Sequence, residues 1–181
     1  LGVPVKINIE NSVAAMAIAW LNGVGAADIR KAMASFKGAK RRFDFWLKTA
    51  DTVMIDDYAH HPDELKASIS SVRALYPDKK ISGIFQPHLY TRTRDFYKEF
   101  AAALSLLDEL ILLDIYPARE QPIPGVTSKL IFDKVTCSNK ELCHKDMLLE
   151  KIKQRNFEVL ITLGAGDIDR MLPAIKEILS A

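Results

Sequence analysis

Thr52-Val53-Met54-Ile55-Asp56-Asp57-Tyr58-Ala59-His60-His61-Pro62-Asp63-Glu64 passes from a short apolar run into two acids, a phenol and two imidazoles, then into a proline and two further acids. The apolar run reads as a buried β-strand. Pro62-Asp63-Glu64 reads as a first helical turn, because that turn leaves its N–H groups unpaired and favours carboxylates. A strand ending in polar residues and leading directly into a helix is the unit of an open α/β sheet, which binds ligands beyond the carboxyl ends of its strands. So many titratable side chains at one turn point to chemistry rather than packing. The plainer alternative is that Asp56 and Asp57 cap the helix while the histidines stay half exposed.

Downstream the unit repeats. Periodicity predicts helices over 62–75, 93–107, 146–154 and 167–179, a short one near 128–134, and strands over 80–85, 109–115, 158–163 and, weakly, 140–144. Such alternation implies right-handed crossovers and a mostly parallel sheet with helices on both faces. Upstream, Phe43, Phe45 and Leu47 alternate with Asp44, Trp46 and Lys48, a hairpin-like entry into the sheet. Residues 9–22 are nearly apolar all round and read as a buried helix, and a second helix fits Ala26 to Phe36. Two helices cannot bury both their faces alone, so they are expected to belong to a neighbouring unit. Leu1-Gly2-Val3-Pro4-Val5 reads as the interior of a longer chain.

The net charge of +2 gives no broad electrostatic reason to bind nucleic acid or an anionic membrane, so any anion site must be local. Cys137 and Cys143 are the only cysteines and fit two free thiols in a reducing cytosol. No apolar run approaches the ~20 residues that cross a bilayer, and no export signal opens the chain, so a cytoplasmic protein is expected.

Four constellations could carry chemistry. In the first, Asp57 can face a magnesium ion through water or hold ribose hydroxyls, and His60 or His61 can orient or deprotonate an amine. Asp57 and His61 stand four apart, but Pro62 biases His61 from helical torsions, which argues against a metal pair. The second, Phe85-Gln86-Pro87-His88-Leu89-Tyr90-Thr91-Arg92-Thr93-Arg94-Asp95, also follows a strand; Arg92 and Arg94 offer forked donors for carboxylate or phosphate. Its plainer reading pairs Arg94 with Asp95 or Glu99. The third, Gly164-Ala165-Gly166-Asp167-Ile168-Asp169, departs from a dinucleotide fingerprint at Asp169 and reads as a tight turn bringing backbone amides near the same edge. In the fourth, Lys40-Arg41-Arg42-Phe43, one arginine is expected to be paired and one solvated, unless an arginine reaches a phosphate in the cleft.

These stretches, with Tyr116-Pro117-Ala118 and Pro122-Ile123-Pro124-Gly125, resemble the carboxyl-terminal domain of the Mur ligases over nearly the whole chain. His88-Leu89-Tyr90-Thr91-Arg92-Thr93-Arg94 points to the alanine-adding member. The resemblance implies that residues 1–41 end a central ATP-binding domain and that 42–181 form a Rossmann-like third domain. It implies a ligase that joins L-alanine to UDP-N-acetylmuramate through an acyl phosphate in peptidoglycan synthesis, with ATP and with Mg2+ held mainly by the central domain. Asn8, Asn11, Arg42 and Asp57 match nucleotide-binding positions. Tyr58, His60, His88 and Arg92, with Arg94, match positions near the added amino acid. Ile7 stands where the family usually has histidine, and Leu89 where many members have arginine. No Gly-x-x-x-x-Gly-Lys-Ser/Thr loop occurs in the 181 residues, so no catalytic residue is assigned and these residues alone are expected to catalyse nothing. The alternatives are a tripeptide-recycling Mur ligase and a non-catalytic Rossmann-like nucleotide-binding module.

Overall fold

The computed structural model describes residues 5–180, and of Lys6 and Ile7 only the backbone. The reading of residues 1–4, and the side chain of Ile7, lie outside what is described. Helices α1 (Lys6–Leu21) and α2 (Ala26–Ser35) come first, then β1 (Asp44–Lys48), β2 (Val53–Asp57), α3 (Pro62–Leu75), β3 (Ile81–Phe85), α4 (Tyr90–Leu104) and β4 (Glu109–Leu113). The chain continues through α5 (Lys129–Phe132), β5 (Asn139–Cys143), α6 (Leu148–Lys153), β6 (Val159–Leu163) and α7 (Leu172–Ser180). The six strands form one sheet in the order β1-β2-β6-β3-β4-β5, parallel except for the antiparallel edge pair β1 and β2. The expected α/β class, a mostly parallel sheet between helices, is the one observed.

β2, β3, β4 and β6 are buried along nearly their whole length because both faces are covered, polar Asp56, Ser82, Glu109 and Thr162 included. Period-2 alternation sends Ile55, Phe85, Leu110 and Ile161 to one core, with Leu65, Ile69 and Phe100 of α3 and α4. Met54, Ile84, Ile111 and Leu160 go to the other, with Ile152, Leu172 and Ile175 of α6 and α7. Each such side chain contributes about 1.5–3 kcal/mol on burial. β2, β6 and β3 end level, since Leu163 pairs with both Asp57 and Phe85. The loops after them therefore meet at one edge.

Three expectations are corrected. Helix α1 is not buried: Val13, Ile18, Trp20 and Leu21 are 57–79% exposed, because no described element covers the face turned from α2. The alternation in β1 breaks at Trp46, a β-bulge, so Phe45 packs on one core while Trp46 and Leu47 both pack on the other. α4 begins at Tyr90, not near 93. Thr93 is buried inside the helix, and its hydroxyl donates to Leu89 O at 2.9 Å.

Candidate functional site

The segment between α2 and β1 is pinned to the sheet's carboxyl edge by Arg41. A left-handed backbone at Arg41 (φ 58°) turns its guanidinium inward. There it donates to Asp56 Oδ2 at 3.3 Å, Gly164 O at 2.7 Å and Gly166 O at 3.4 Å. Asp56 is fully buried and also accepts from Thr162 Oγ1 at 2.6 Å; burial nevertheless pushes its carboxyl above the usual range. The glycine turn thus offers two carbonyls to the linker, while its Gly164 amide donates to Asp57 O at 3.3 Å on the same edge. Gly164 adopts φ 131°, and a Cβ on Gly166 would overlap Gln86 and Tyr116, so both positions require glycine.

With Arg41 turned in, Arg42 stays exposed beside the Tyr58 ring, 5.5 Å from its centroid. Arg42 lines a cavity of about 870 Å3 together with Asn8, Asn11, Phe36, Asp57 and Ser68. The size suits a nucleotide, within the roughly 300–1,000 Å3 common for small-molecule sites. The four sequence-assigned nucleotide residues, contributed by α1, the linker and β2, therefore share one cavity.

A second row lies along the same edge. The Tyr58 and His60 ring centroids are 5.1 Å apart, those of His60 and His88 6.2 Å, and His88 stacks on Tyr116 at 5.8 Å with planes 20° apart. His60 Nδ1 lies 3.0 Å from Tyr58 O and 3.3 Å from Glu64 Oε2, which assigns a proton to Nδ1 and in the neutral ring leaves Nε2 as an acceptor. Arg92 Nη1 lies 3.5 Å from His88 Nδ1, so Nε2 of His88 is assigned the N–H. Burial, aided by the Arg92 guanidinium, holds His88 below the usual imidazole value, so it is neutral at neutral pH. The row combines an acceptor for an ammonium with a cation and an N–H donor for a carboxylate, the two ends of an amino acid.

Two other candidates stand elsewhere. Arg94 is exposed and pairs with Asp95 at 2.7 Å, the plainer reading of that residue. His61 is extended (φ −115°) and packs on Phe96 at 5.2 Å. Among the described residues no three His, Cys, Asp or Glu side chains gather to hold a metal ion, and Asp57 alone would offer magnesium one ligand. Arg41 was the residue that sequence reasoning missed. Nothing in Lys40-Arg41-Arg42 distinguishes the inward arginine, because the choice rests on one backbone torsion.

Burial pushes the Asp57 carboxyl up, against hydrogen bonds from Ser68 Oγ at 2.8 Å and the Ala59 amide at 3.1 Å. With its folded value above the unfolded one of about 3.9, ionised Asp57 costs stability. The cost is absent below the unfolded value, grows as pH rises through the folded value, and is complete above it. Asn can still accept from Ala59 and donate to Ser68. Asp57→Asn is therefore expected to be more stable than wild type in urea unfolding near pH 7, and equal to it near pH 3.5. A gap that widens on acidification would contradict this.

A family model described as Mur ligase, glutamate ligase domain, matches residues 41–168. The UDP-N-acetylmuramate–L-alanine ligases of Parabacteroides distasonis and Phocaeicola vulgatus are 66% and 61% identical to this chain over 99% of it. The chain spans 39% and 40% of the lengths of these curated relatives. The solved UDP-N-acetylmuramate-alanine ligase of Thermotoga maritima matches with a TM-score of 0.77 at 28% identity, covering 97% of this chain and 38% of that one. A murein peptide ligase of Psychrobacter arcticus, at 17% identity and TM-score 0.65 over 95% of this chain and 36% of its own, shares the fold. With a family match across most of its length and relatives identical at more than half of their aligned positions, this chain belongs to the Mur ligase family.

Proposed function

We propose that residues 42–181 form the third domain of an ATP-dependent ligase that joins L-alanine to UDP-N-acetylmuramate in peptidoglycan synthesis, with residues 1–41 ending its central domain. The observation that carries this reading is the division of one sheet edge: Asn8, Asn11, Arg42 and Asp57 around a nucleotide-sized cavity, and His60, His88 and Arg92 in the adjoining row. Tyr58 stands between the two groups, under Arg42 and against His60. The apolar face of α1 supports a covering neighbour in the full protein.

ATP, when bound, supplies the phosphoryl group that activates the muramoyl carboxylate as an acyl phosphate. Arg42 offsets negative charge in the cavity, and Asp57 accepts from ribose hydroxyls. Arg92 and His88 hold the alanine carboxylate, and His60 Nε2 takes the hydrogen bond of the alanine nitrogen and readies it for attack. Walls closing on both sides exclude the water that would hydrolyse the activated carboxylate. Phosphoryl delivery and most magnesium ligands are assigned to the rest of the relatives' length.

Phosphate release by the full-length protein with UDP-N-acetylmuramate, ATP and either L-alanine, glycine or L-serine tests the reading. L-alanine is expected to give the highest kcat/KM, and residues 1–181 alone to release no phosphate. Turnover indifferent to L-alanine would sink it.

A further inference from the structure

Glu120 carries no role in the site described so far, yet its carboxylate reaches from the loop after β4 to the first turn of α4. It accepts from the Thr91 amide at 3.0 Å and from the Thr91 hydroxyl. Leu89, the residue at the N-cap of α4, supplies no side-chain hydrogen bond of its own, so the helix takes its cap from a residue 29 positions away. A carboxylate at that end also meets the positive pole of the first turns of α4, which a kink at Phe96 (φ −122°) separates from the rest of the helix.

The same two segments are joined at their base. Tyr116 N donates to Pro87 O at 2.8 Å and Leu89 N to Tyr116 O at 3.0 Å, which lays the Tyr116 ring on His88. Leu89 (φ 74°) and Ala118 (φ 52°) both adopt left-handed backbone, which non-glycine residues hold only where their surroundings enforce it. One strained residue lies in each segment, and the Glu120 contact closes the pair.

We propose that Glu120 is a positioning residue for the amino-acid half of the site: by tying the loop to α4 it keeps Tyr116 against His88 and aims Arg92. This rests on the ligase reading above. The substrate it serves is an amino acid whose carboxylate meets Arg92.

The test uses the full-length ligase with Glu120→Ala and Glu120→Gln. The alanine variant should raise the KM for L-alanine by about tenfold or more and leave that for ATP within about twofold. Gln retains an acceptor for the Thr91 amide and can donate to the Thr91 hydroxyl, so it should restore most of the loss. In histidine-labelled protein, NMR should show the shielding of the His88 ring by Tyr116 lost in Glu120→Ala and kept in Glu120→Gln. An alanine KM within twofold of wild type, both constants rising together with lost thermal stability, or no rescue by Gln would overturn the proposal. If the wild-type enzyme does not turn over L-alanine, the ligase reading fails, and Glu120 is judged on the NMR signal: unchanged shielding in Glu120→Ala refutes its role, and lost shielding upholds it.

Discussion

Arg41→Ala is expected to cost about 3–5 kcal/mol of folding free energy, the usual consequence of leaving one member of a buried ion pair without its partner. Asp56 is fully buried and the Arg41 side chain only 21% exposed, so water replaces little of what is lost. The same truncation strips donors from Gly164 O and Gly166 O, and removes the cation lying 4.9 Å from the Tyr58 ring centroid. For a domain of this size the loss corresponds to a fall in Tm of roughly 6–20 °C. Arg41→Lys should recover only part, because one ammonium cannot reach three acceptors spread over β2 and the glycine turn. Adding Asp56→Asn to Arg41→Ala should recover stability by removing the stranded charge. Urea unfolding of the four proteins measures this, and an Arg41→Ala protein within 1 kcal/mol of wild type would refute the anchor.

If the full-length protein is the proposed ligase, Arg92→Ala is expected to raise its KM for L-alanine by about 10- to 100-fold, since a hydrogen bond to a charged partner contributes roughly 1.5–3 kcal/mol. ATP should be little affected, because Arg92 lies with His88 and the cavity proposed for the nucleotide is lined by Arg42 and Asp57 instead. Arg92→Lys keeps the charge but loses the fork, and should fall between the two. Arg94→Ala should behave nearly as wild type, because Arg94 already pairs with Asp95 in solvent. Equal losses in Arg92→Ala and Arg94→Ala would mean that the loop after β3 presents its arginines differently.

Local chemistry made much of this legible. The start of α3 was readable to the residue, since Pro62 admits few other backbones and Glu64 accepts from the His60 and His61 amides at 2.9 and 3.1 Å. The order of strands and helices followed from their periods. What could not be read depends on contacts between distant segments. The start of α4 was misjudged because its cap comes from Glu120, and the Trp46 bulge shows only when β1 is laid on β2. α1 looked buried because its composition fits a covered helix, whatever covers it. Arg92 and Arg94 look alike as letters, and only the helix surface separates the one beside His88 from the one in solvent.

The central claim is that one sheet edge is divided between nucleotide and amino acid, and crossed kinetics tests it most directly. Asp57→Ala and Arg92→Ala ligases would each be assayed with ATP varied at saturating L-alanine, and with L-alanine varied at saturating ATP. The division predicts opposite patterns: a raised KM for ATP with little change for alanine in Asp57→Ala, and the reverse in Arg92→Ala. Both variants changing both constants by the same factor would contradict it.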